Sequence, residues 1–527
     1  MKPLNKFLIA IAATAAIGIP AIASTNTGGP LAIPRNITIK GEVREMTDDV
    51  LKMLSDNNDN KVVRTAEVPS YGSLKAILGD DAYTIDSLII KGSIDATDLA
   101  YIKDCLMNGK LTSVNMSDAS IKDNKIPENA FSGIPNYLPL LYIDLPDGIT
   151  EIGENAFAAT LLHAIDIPET VRTLGETCFG YNRYVSGTIV IPEGVEEIPS
   201  DCFVYLGQQW GIEDVVLPST IRKIDSRAFM SATIRNINLP EGLESVGGSA
   251  FLYTALKSVT LPKSCTDYAV DNNYGVFAGS LFMESMIFAD GTEVIPQRIA
   301  DRLAALKSVH MPEGVRIIEK YAFNNNYNLK NIDFPQSLNE IRDYAFYESS
   351  LEELVLPEDI RYLAPMSFAN NTKLKRIICH APNPPLAIDR NVNGETAQAN
   401  TPIQAFGDDQ HSGTPRNITV YVPKGSVAAY ANNNLGWQWF SNFVEMDETV
   451  GIDDINTEDR AVHVYSDGGY VIIANSNADV QPMEYAIYTV EGRLAASGVT
   501  DGISTTIAVP AGFYIVKAGG NVYKIRN

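Results

Sequence analysis

The sequence predicts a repeat solenoid with a parallel β-sheet on one face and mostly loops and short turns elsewhere, followed by a small antiparallel β-sandwich. Three observations lead to this fold class. An apolar motif recurs at intervals of about 22 to 29 residues over most of the chain. Each copy is followed by a second short motif that ends in phenylalanine. After about residue 451 the repeat stops, and short β-type segments separated by glycine pairs replace it.

The first part of each repeat has apolar residues at positions one, four and six, usually followed by proline. Residues 140–146 show the pattern, with Leu140, Ile143, Leu145 and then Pro146. The alternation at the last two apolar positions predicts a short strand with one buried face. Proline ends this strand because it has no N–H to donate to a β-ladder. The clear copies begin at Leu140, Leu162, Ile212, Ile234, Leu256, Leu306, Leu329 and Leu351.

The second part of each repeat places phenylalanine after a small residue, which is alanine, cysteine or serine. We call each coil of the solenoid, formed by one copy of the repeat, a rung. We expect the phenylalanine to enter the interior, and its neighbour to be small because a bulky side chain would clash with the next rung. One rung alone has too few apolar groups to offset the entropy of ordering it, so rungs must stack. The phenylalanines are Phe131, Phe157, Phe179, Phe203, Phe229, Phe251, Phe323, Phe346, Phe368 and Phe406.

Weaker copies fill the gaps, so the solenoid is predicted over residues 85–445 with about fourteen rungs. These rungs resemble leucine-rich repeats of the BspA type, whose unit reads roughly L-x-x-I-x-L-P-x-x-L-x-x-I-G-x-x-A-F. Residues 140–157 match that unit nearly throughout. The resemblance extends to the closure of the array, where residues 422–426 read V-P-K-G-S and Trp437 follows. It implies a surface protein with an adhesive role, as in the Bacteroides group and some other microbes.

The N-terminal residues predict an exported protein. Lys2 and Lys6 precede an apolar run from residue 7 to residue 20, and small residues follow at Ala21 and Ala23. This pattern is typical of a signal peptide spanning residues 1–23, and no later stretch predicts a transmembrane span. We therefore expect the protein at the cell surface, on the outer-membrane exterior, or secreted. Residues 24–84 are predicted to cap the first rung, with short helices at 47–54 and 74–78.

Residues 451–527 are predicted to form the β-sandwich. Strands are expected at 462–465, 470–473, 484–490, 505–509, 513–517 and 522–525. Residues 487–494 and 510–516 resemble the C-terminal sorting domains of the type IX secretion pathway, which implies a role in sorting or attachment. The alternative is a C-terminal β-domain with a structural role only.

The composition and motifs argue against several other functions. A net charge of -23 disfavours nucleic acid as a partner, because nucleic acid requires a basic surface. The five histidines are scattered, and no phosphate loop or nucleophile motif occurs. We predict no catalytic residues, no metal site and no cofactor, and hence no enzyme.

Cys178 and Cys202 occupy the small-residue position and are expected to be inert core thiols. The acidic pairs at 408–409 and 453–454 are read as solvated surface.

The residues between the inward strand positions are candidates for a binding face, because solenoids commonly bind through such a face. The alternative is that this sheet face is simply solvated and does not bind a partner. A second candidate surface is the loop edge, where Tyr181, Tyr184, Tyr205, Trp210, Tyr327 and Tyr347 are expected. The candidate binding residues on the sheet face are Tyr142, Asp144, Asp166, Asp214, Asn236, Asn238, Thr260, His310, Asp333, Glu353 and Arg376.

The sequence thus leads to a cell-surface binding or adhesion protein that recognises host or microbial macromolecules through its solenoid surface. The expected partner is a protein or a glycan on host or neighbouring cells. Two alternatives remain at this point: a structural scaffold of envelope assembly, and a glycan-binding accessory protein.

Overall fold

The computed structural model divides the chain into two compact units, Met1–Glu445 and Met446–Asn527. The structure describes residues 36–39, 42–45, 61–388, 404–407, 413–432, 434–446, 462–467, 470–475, 483–489, 494–500, 504–509, 513–518 and 521–526. The predicted signal peptide 1–23, the helix expected at 47–54 and the acidic pairs at 408–409 and 453–454 lie outside these residues.

The first unit is a solenoid whose principal strands form a parallel ladder, which we call the long ladder. This confirms the predicted fold class. Rungs at 162–167 and 329–334 pass through the ladder without forming a regular strand. The strands fall into four hydrogen-bonded groups: Val63–Val68, Ser87–Ile94, Ser113–Asn115 and Tyr142–Asp144; Gly187–Val190, Ile212–Val216 and Ile234–Ile237; Ser258–Leu261, Ser285–Phe288 and Ser308–His310; Glu353–Leu356, Arg376–Cys379, Thr419–Val422 and Asn442–Glu445.

A second parallel ladder of two-residue strands runs beside the first. It contains the apolar residue that lies between the strand motif and phenylalanine in each repeat. Ala119–Ile121 is separate and pairs with Ser87–Ile94. The short strands are Lys125–Ile126, Glu151–Ile152 and Thr173–Leu174; Glu197–Ile198, Lys223–Ile224, Ser245–Val246 and Asp267–Tyr268; Val294–Ile295, Ile317–Ile318, Glu340–Ile341 and Tyr362–Leu363.

The phenylalanines form a column of stacked rings along the solenoid axis. All ten predicted phenylalanines are at most 2% exposed. Phe131 to Phe277 make a continuous run with centroid separations of 5.2 to 5.7 Å. A second run joins Phe323 to Phe406 at 5.2 to 6.0 Å. Neighbouring rungs therefore share one interior, and the buried side chains form a single cluster from Ala66 to Phe440.

The expectation that the residue before phenylalanine must be small is too strict. Val276 and Ile299 occupy this position and are buried there. Phe277, which follows valine, was therefore not predicted; it stacks on Phe251 at 5.2 Å. Ala300 takes the ring's place in the following rung and separates the two runs of rings.

A third set of inter-rung hydrogen bonds lies in the turn around each phenylalanine. The N–H groups of Asn155, Phe157 and Ala159 donate to carbonyls of the next rung at 2.8 to 2.9 Å. Asn155 and Ala159 have φ values of 52° and 54°, and the same pair of left-handed positions recurs down the array. Left-handed backbone costs a non-glycine residue about 1–2 kcal/mol, so the ladder must stabilise it.

Buried asparagines hydrogen-bond the carbonyl groups of the phenylalanines. The amide of Asn182, fully buried, donates to the carbonyls of Phe157 and Phe179 at 2.8 and 2.9 Å. Asn371 donates in the same way to the carbonyls of Phe346 and Phe368. Asn326 donates to the carbonyl of Ala300 in the preceding rung. Each amide thus links two rungs at a place where water cannot reach.

The N-terminal rungs contain helices. The helix Leu74–Leu78 is at the predicted place, and a longer helix that the sequence analysis missed spans Ala96–Asn108. Asp98 is buried at its start and accepts backbone N–H groups of Gly72, Leu74 and Asp95 at 2.7 to 3.1 Å. These bonds and the helix N-terminus compensate the buried carboxylate. Short 3₁₀ helices are Gly79–Thr84 and Lys122–Asn124, and Asn36–Ile39 pairs with Glu42–Glu45 as an antiparallel hairpin.

The first strand of the long ladder, Val63–Val68, lies within the segment that we assigned to the N-terminal cap. It pairs in parallel with Ser87–Ile94. The sheet of the solenoid therefore begins before the first rung that was recognised in the sequence. The strand Val63–Val68 was not recognised because it has neither the proline nor the phenylalanine of the repeat.

Aromatic side chains close the other end of the array, as the resemblance predicted. The helix Val427–Ala431 and the 3₁₀ helix Trp437–Trp439 follow the strand Thr419–Val422. Trp437 and Phe440 contact the last ring, Phe406, with centroid distances of 5.4 and 4.8 Å. The indole N–H of Trp437 donates to the carbonyl of Pro385 at 2.8 Å.

The second unit contains two antiparallel sheets. The predicted strands are present, and an additional strand at Leu494–Val499 was missed because its small residues show no clear alternation. Val471, Ile487, Ile507 and Val516 belong to its core. One sheet contains Val462–Asp467, Tyr470–Asn475 and Ser504–Ala508; the other contains Leu494–Val499, Glu484–Thr489, Phe513–Ala518 and Asn521–Arg526.

Replacing a ring in the middle of the column should destabilise the solenoid. We expect Phe229→Ala to lower the free energy of unfolding by about 3–5 kcal/mol, since it leaves a cavity between two rings. Urea unfolding followed by circular dichroism measures the change. Tyr327→Ala, at a side chain 53% exposed, is the control and should change stability by less than about 0.5 kcal/mol. Equal midpoints for the two variants would contradict the stacked column.

Candidate binding face

The outward side chains of the long ladder are in register from one rung to the next. Asp214 lies beside Asn236, and Ser285 lies between Ser258 and Ser308. Because adjacent strands are about 4.8 Å apart, equivalent side chains form columns along the solenoid. We call this surface the outward face.

Each candidate binding residue lies at an outward position and is exposed or half-buried. The residues do not gather into one compact site: Tyr142 and Arg376 are about ten rungs apart, which corresponds to roughly 50 Å. The exposed candidates are Tyr142, Asp144, Asp166, Asn236, Asn238, Thr260, His310 and Asp333; the half-buried ones are Asp214, Glu353 and Arg376.

Hydrogen bonds between rungs hold several of these side chains in place. The amide of Asn236 donates to the carboxylate of Asp214 at 3.1 Å. Arg376 pairs with Glu353 at 2.7 Å, and Asp144 accepts from Asn115 at 2.8 Å. Asn238 bonds both backbone groups of Leu217. An ordered polar surface of this kind loses little side-chain entropy when a partner binds.

Another outward column, which was not predicted from the sequence and which we call the charge column, carries charges of both signs between Glu213 and Lys375. It is formed by the residue after the first apolar position of each repeat. Opposite charges one repeat apart are the signal that could have revealed it. Exposed pairs of this type contribute about 0–1 kcal/mol each, so they mainly order the surface. The pairs are Arg235–Glu213 at 2.8 Å, Lys307–Glu284 at 3.0 Å, Lys330–Glu352 at 3.4 Å and Lys375–Glu352 at 2.6 Å.

Four aromatic rings come together near one end of the outward face. Trp210 makes edge contacts with His163 and Tyr184, with centroid distances of 4.8 and 5.6 Å. His163 also contacts Tyr142, whose hydroxyl lies 3.0 Å from the histidine Nδ1. We expected Trp210 and Tyr184 among the loop-edge aromatics, but not this association with Tyr142 and His163. Burial lowers the pKa of His163, which favours the neutral form of the ring.

The other expected loop-edge aromatics differ in their exposure. Tyr181 and Tyr205 stack at 5.4 Å, and Tyr205 is only 7% exposed, so core packing occupies it. Tyr327 is exposed, and Tyr347 is half-buried with its hydroxyl accepting from Asn370 at 2.8 Å.

The structure also locates the groups considered for other chemistry. Cys178 and Cys202 lie in the core on adjacent rungs, with their sulfurs 3.4 Å apart. Burial and the neighbouring thiol raise the pKa of Cys202 well above its ordinary value, which disfavours the reactive thiolate. Within the described ranges, no group of three or more histidine, cysteine, aspartate or glutamate side chains could hold a metal ion. In the same part of the chain, no helix has the length and apolar character to cross a bilayer.

Comparison with known proteins identifies the repeat. The family model described as the BspA type leucine rich repeat region matches residues 102–209, 207–299 and 293–384. A search of curated proteins found no match.

Several solved structures are similar to the chain. A leucine-rich repeat protein from Bacteroides ovatus is 19% identical, with a TM-score of 0.43, over 66% of this chain and 85% of that one. A leucine-rich cell surface protein from Faecalibacterium prausnitzii is 18% identical, with a TM-score of 0.32, over 79% and 87%. The pneumococcal vaccine antigen PcpA is 15% identical, with a TM-score of 0.33, over 79% and 88%.

The charge column should make stability depend on pH. The hydrogen bond and charge of Lys375, together with Lys330, lower the pKa of Glu352. A lowered pKa stabilises the fold above the unfolded value, about 4.3, and this contribution is lost as pH falls through the folded value. Glu352→Gln should therefore lower the urea midpoint at pH 7. The effect should be smaller at about pH 3, below the unfolded value, where the contribution of the ion pairs is being lost.

Glu358→Gln is the matched control, because Glu358 is an exposed glutamate of the same rung. Its midpoint should follow the unsubstituted protein at both pH values. A loss of stability in Glu352→Gln that is equal at both pH values would contradict the role of the ion pairs.

Proposed function

Because the chain belongs to the BspA type leucine rich repeat family, we propose that it is a cell-surface binding or adhesion protein. Its outward face would recognise a macromolecule of a host or of a neighbouring cell. The proposal includes no catalytic step.

The outward face is the observation that supports this function most directly. It extends along the array and carries side chains that are in register and bonded between rungs, including Asp214 with Asn236 and Glu353 with Arg376. The backbone beneath is fixed by parallel ladders and a continuous core. A rigid surface of this size suits a protein or glycan partner better than a small molecule, which requires a concave pocket.

Export is part of the same proposal. The basic residues, apolar run and small residues of 1–23 would direct the chain out of the cytoplasm, and the unit at 451–527 would sort or attach it. Sequencing the terminal peptides of the mature protein, after protease treatment of intact cells, tests both steps. Retention of residues 1–23 in the mature protein would contradict the signal peptide. Full protection from protease would contradict the surface location.

A binding assay with full-length mature protein tests the function itself. The protein is applied to immobilised extracellular-matrix proteins, host-cell proteins and glycans. Asp166→Arg, Thr260→Arg and His310→Arg each place a large cation in a different part of the outward face, where the native residue is exposed. We expect at least one variant to bind about tenfold more weakly, since hot spots are few and local.

Tyr327→Arg places the same side chain on the loop edge and is the control for charge. Unchanged urea midpoints would show that the variants are folded. The proposal fails if the three face variants bind like the unsubstituted protein while the loop-edge variant loses binding. Loss of envelope proteins upon deletion of the chain, without any binding to the immobilised set, would instead favour the structural scaffold.

A further inference from the structure

The association of Tyr142, His163, Tyr184 and Trp210, which we call the aromatic corner, has the features of a ligand site. Trp210 and Tyr142 are 42% and 50% exposed, although a protein surface gains by burying such rings. Tyr184 is 1% exposed and supports Trp210 from below. The exposed rings are therefore held in a fixed arrangement and are not simply left over from core packing.

A loop that interrupts the repeat brings Trp210 to this place. The segment between Phe203 and Ile212 is longer than the corresponding segment between Phe229 and Ile234. Gly207 and Gly211 have φ values of 64° and 80° and allow the extra residues to turn out of the rung and back.

Hydrogen bonds fix this loop to both neighbouring rungs. The N–H groups of Gly207 and Gln209 donate to the preceding rung at 3.0 and 2.9 Å, and the Gln208 amide donates to Ser231 of the following rung at 3.2 Å. The indole is thus preorganised, which lowers the entropic cost of binding.

Two buried polar atoms close to the corner have no hydrogen-bond partner among the described residues. They are the hydroxyl of Tyr137 and the Nε2 of His163. Tyr137 belongs to the segment between Phe131 and Leu140, which is also longer than usual for this repeat. Unpaired buried polar atoms are rare in proteins, and each requires an explanation such as a functional role.

The charges around the corner restrict the ligand. The outward strand positions between residues 141 and 216 include Asp144, Asp166, Glu213 and Asp214, and neither lysine nor arginine. Arg183, next to Tyr184, is half-buried and lies over the ring of Tyr205, 5.6 Å from its centroid. Asp144 bonds Asn115, Glu213 bonds Arg235 and Asp214 bonds Asn236, so these three carboxylates are already occupied within the protein. Such a surface repels an anionic ligand, and it retains little uncompensated charge to attract a cationic one.

We propose that the aromatic corner binds an uncharged hexose-containing glycan. The C–H face of a pyranose ring packs on the exposed indole and phenol, while its hydroxyls donate to carboxylates such as Asp166. This inference rests on the proposed function and specifies the ligand class of one part of the outward face.

The test applies full-length mature protein to immobilised neutral oligosaccharides ending in glucose, galactose, mannose or N-acetylhexosamine. Sialylated and sulfated counterparts and a lysine- and arginine-rich peptide complete the set. We expect binding to a neutral glycan, weaker binding to its anionic counterparts, and at least about a tenfold loss in Trp210→Ala, as for an aromatic hot spot.

Three further variants separate a binding role from a structural one. Trp210→Phe and Tyr142→Phe keep an aromatic ring and should retain most of the binding, whereas Tyr142→Ala should lose it. Tyr327→Ala, an exposed aromatic on the loop edge, should bind like the unsubstituted protein. Equal urea midpoints would show that a loss of binding does not come from unfolding.

Absence of neutral-glycan binding, or binding that Trp210→Ala leaves unchanged, overturns the glycan site. Binding of the basic peptide alone, lost in Trp210→Ala, also overturns it and assigns the corner to a cationic peptide. If the glycan site fails while an immobilised protein is still bound through other outward residues, the proposed function stands.

Discussion

Stacking of one rung on the next is the constraint on which the rest of this molecule depends. A single rung has few apolar groups, too few to offset the entropy of ordering its backbone. Its neighbours bury those groups and also accept the hydrogen bonds of its peptide groups, in two strand ladders and in the turn around phenylalanine. The left-handed residues of that turn, such as Asn155 and Ala159, exist only because the adjacent rungs satisfy their N–H groups.

A stack of this kind must be closed at its ends, and the chain uses different chemistry at each. Near the N-terminus, helices replace the turns of the first two rungs: Leu74–Leu78 and Gly79–Thr84 in the first, and Ala96–Asn108 in the second. Asp98 of the second rung accepts the backbone N–H groups of Gly72 and Leu74 and so binds the two together. At the other end, Trp437 and Phe440 cover the last ring of the column, Phe406. Both devices hide an interior that would otherwise be exposed to water or to another copy of the chain.

The same register that buries one side of each strand places the other side in outward columns. The repeat thus supplies a rigid and largely polar surface, and it varies locally where the repeat is interrupted. The loop from Gly207 to Gly211 is such an interruption, since it carries Trp210 across a neighbouring rung to His163. Distinctive chemistry on this solenoid therefore arises where the period is broken, while the regular rungs supply the support.

The sequence by itself determined which side chains point inward. Alternation has a period of two and proline ends many of the strands, so the buried positions and most of the phenylalanine column could be predicted without coordinates. The helix Ala96–Asn108 was also encoded, by Asp95 and Asp98 at its start and by Leu99, Ile102 and Leu106 on one face. It was missed because the solenoid pattern on either side favoured another turn of the same kind.

Only the tertiary structure decided the turn conformation and the groupings on the surface. No intrinsic preference would place Tyr181 or Tyr205 in the left-handed region, where contacts between rungs hold them. The aromatic corner joins Tyr142, His163 and Trp210 from separate rungs, and their meeting depends on the path of an irregular loop. Local sequence carries the period of a strand, but it does not carry the distance between side chains that become neighbours only after rungs have stacked.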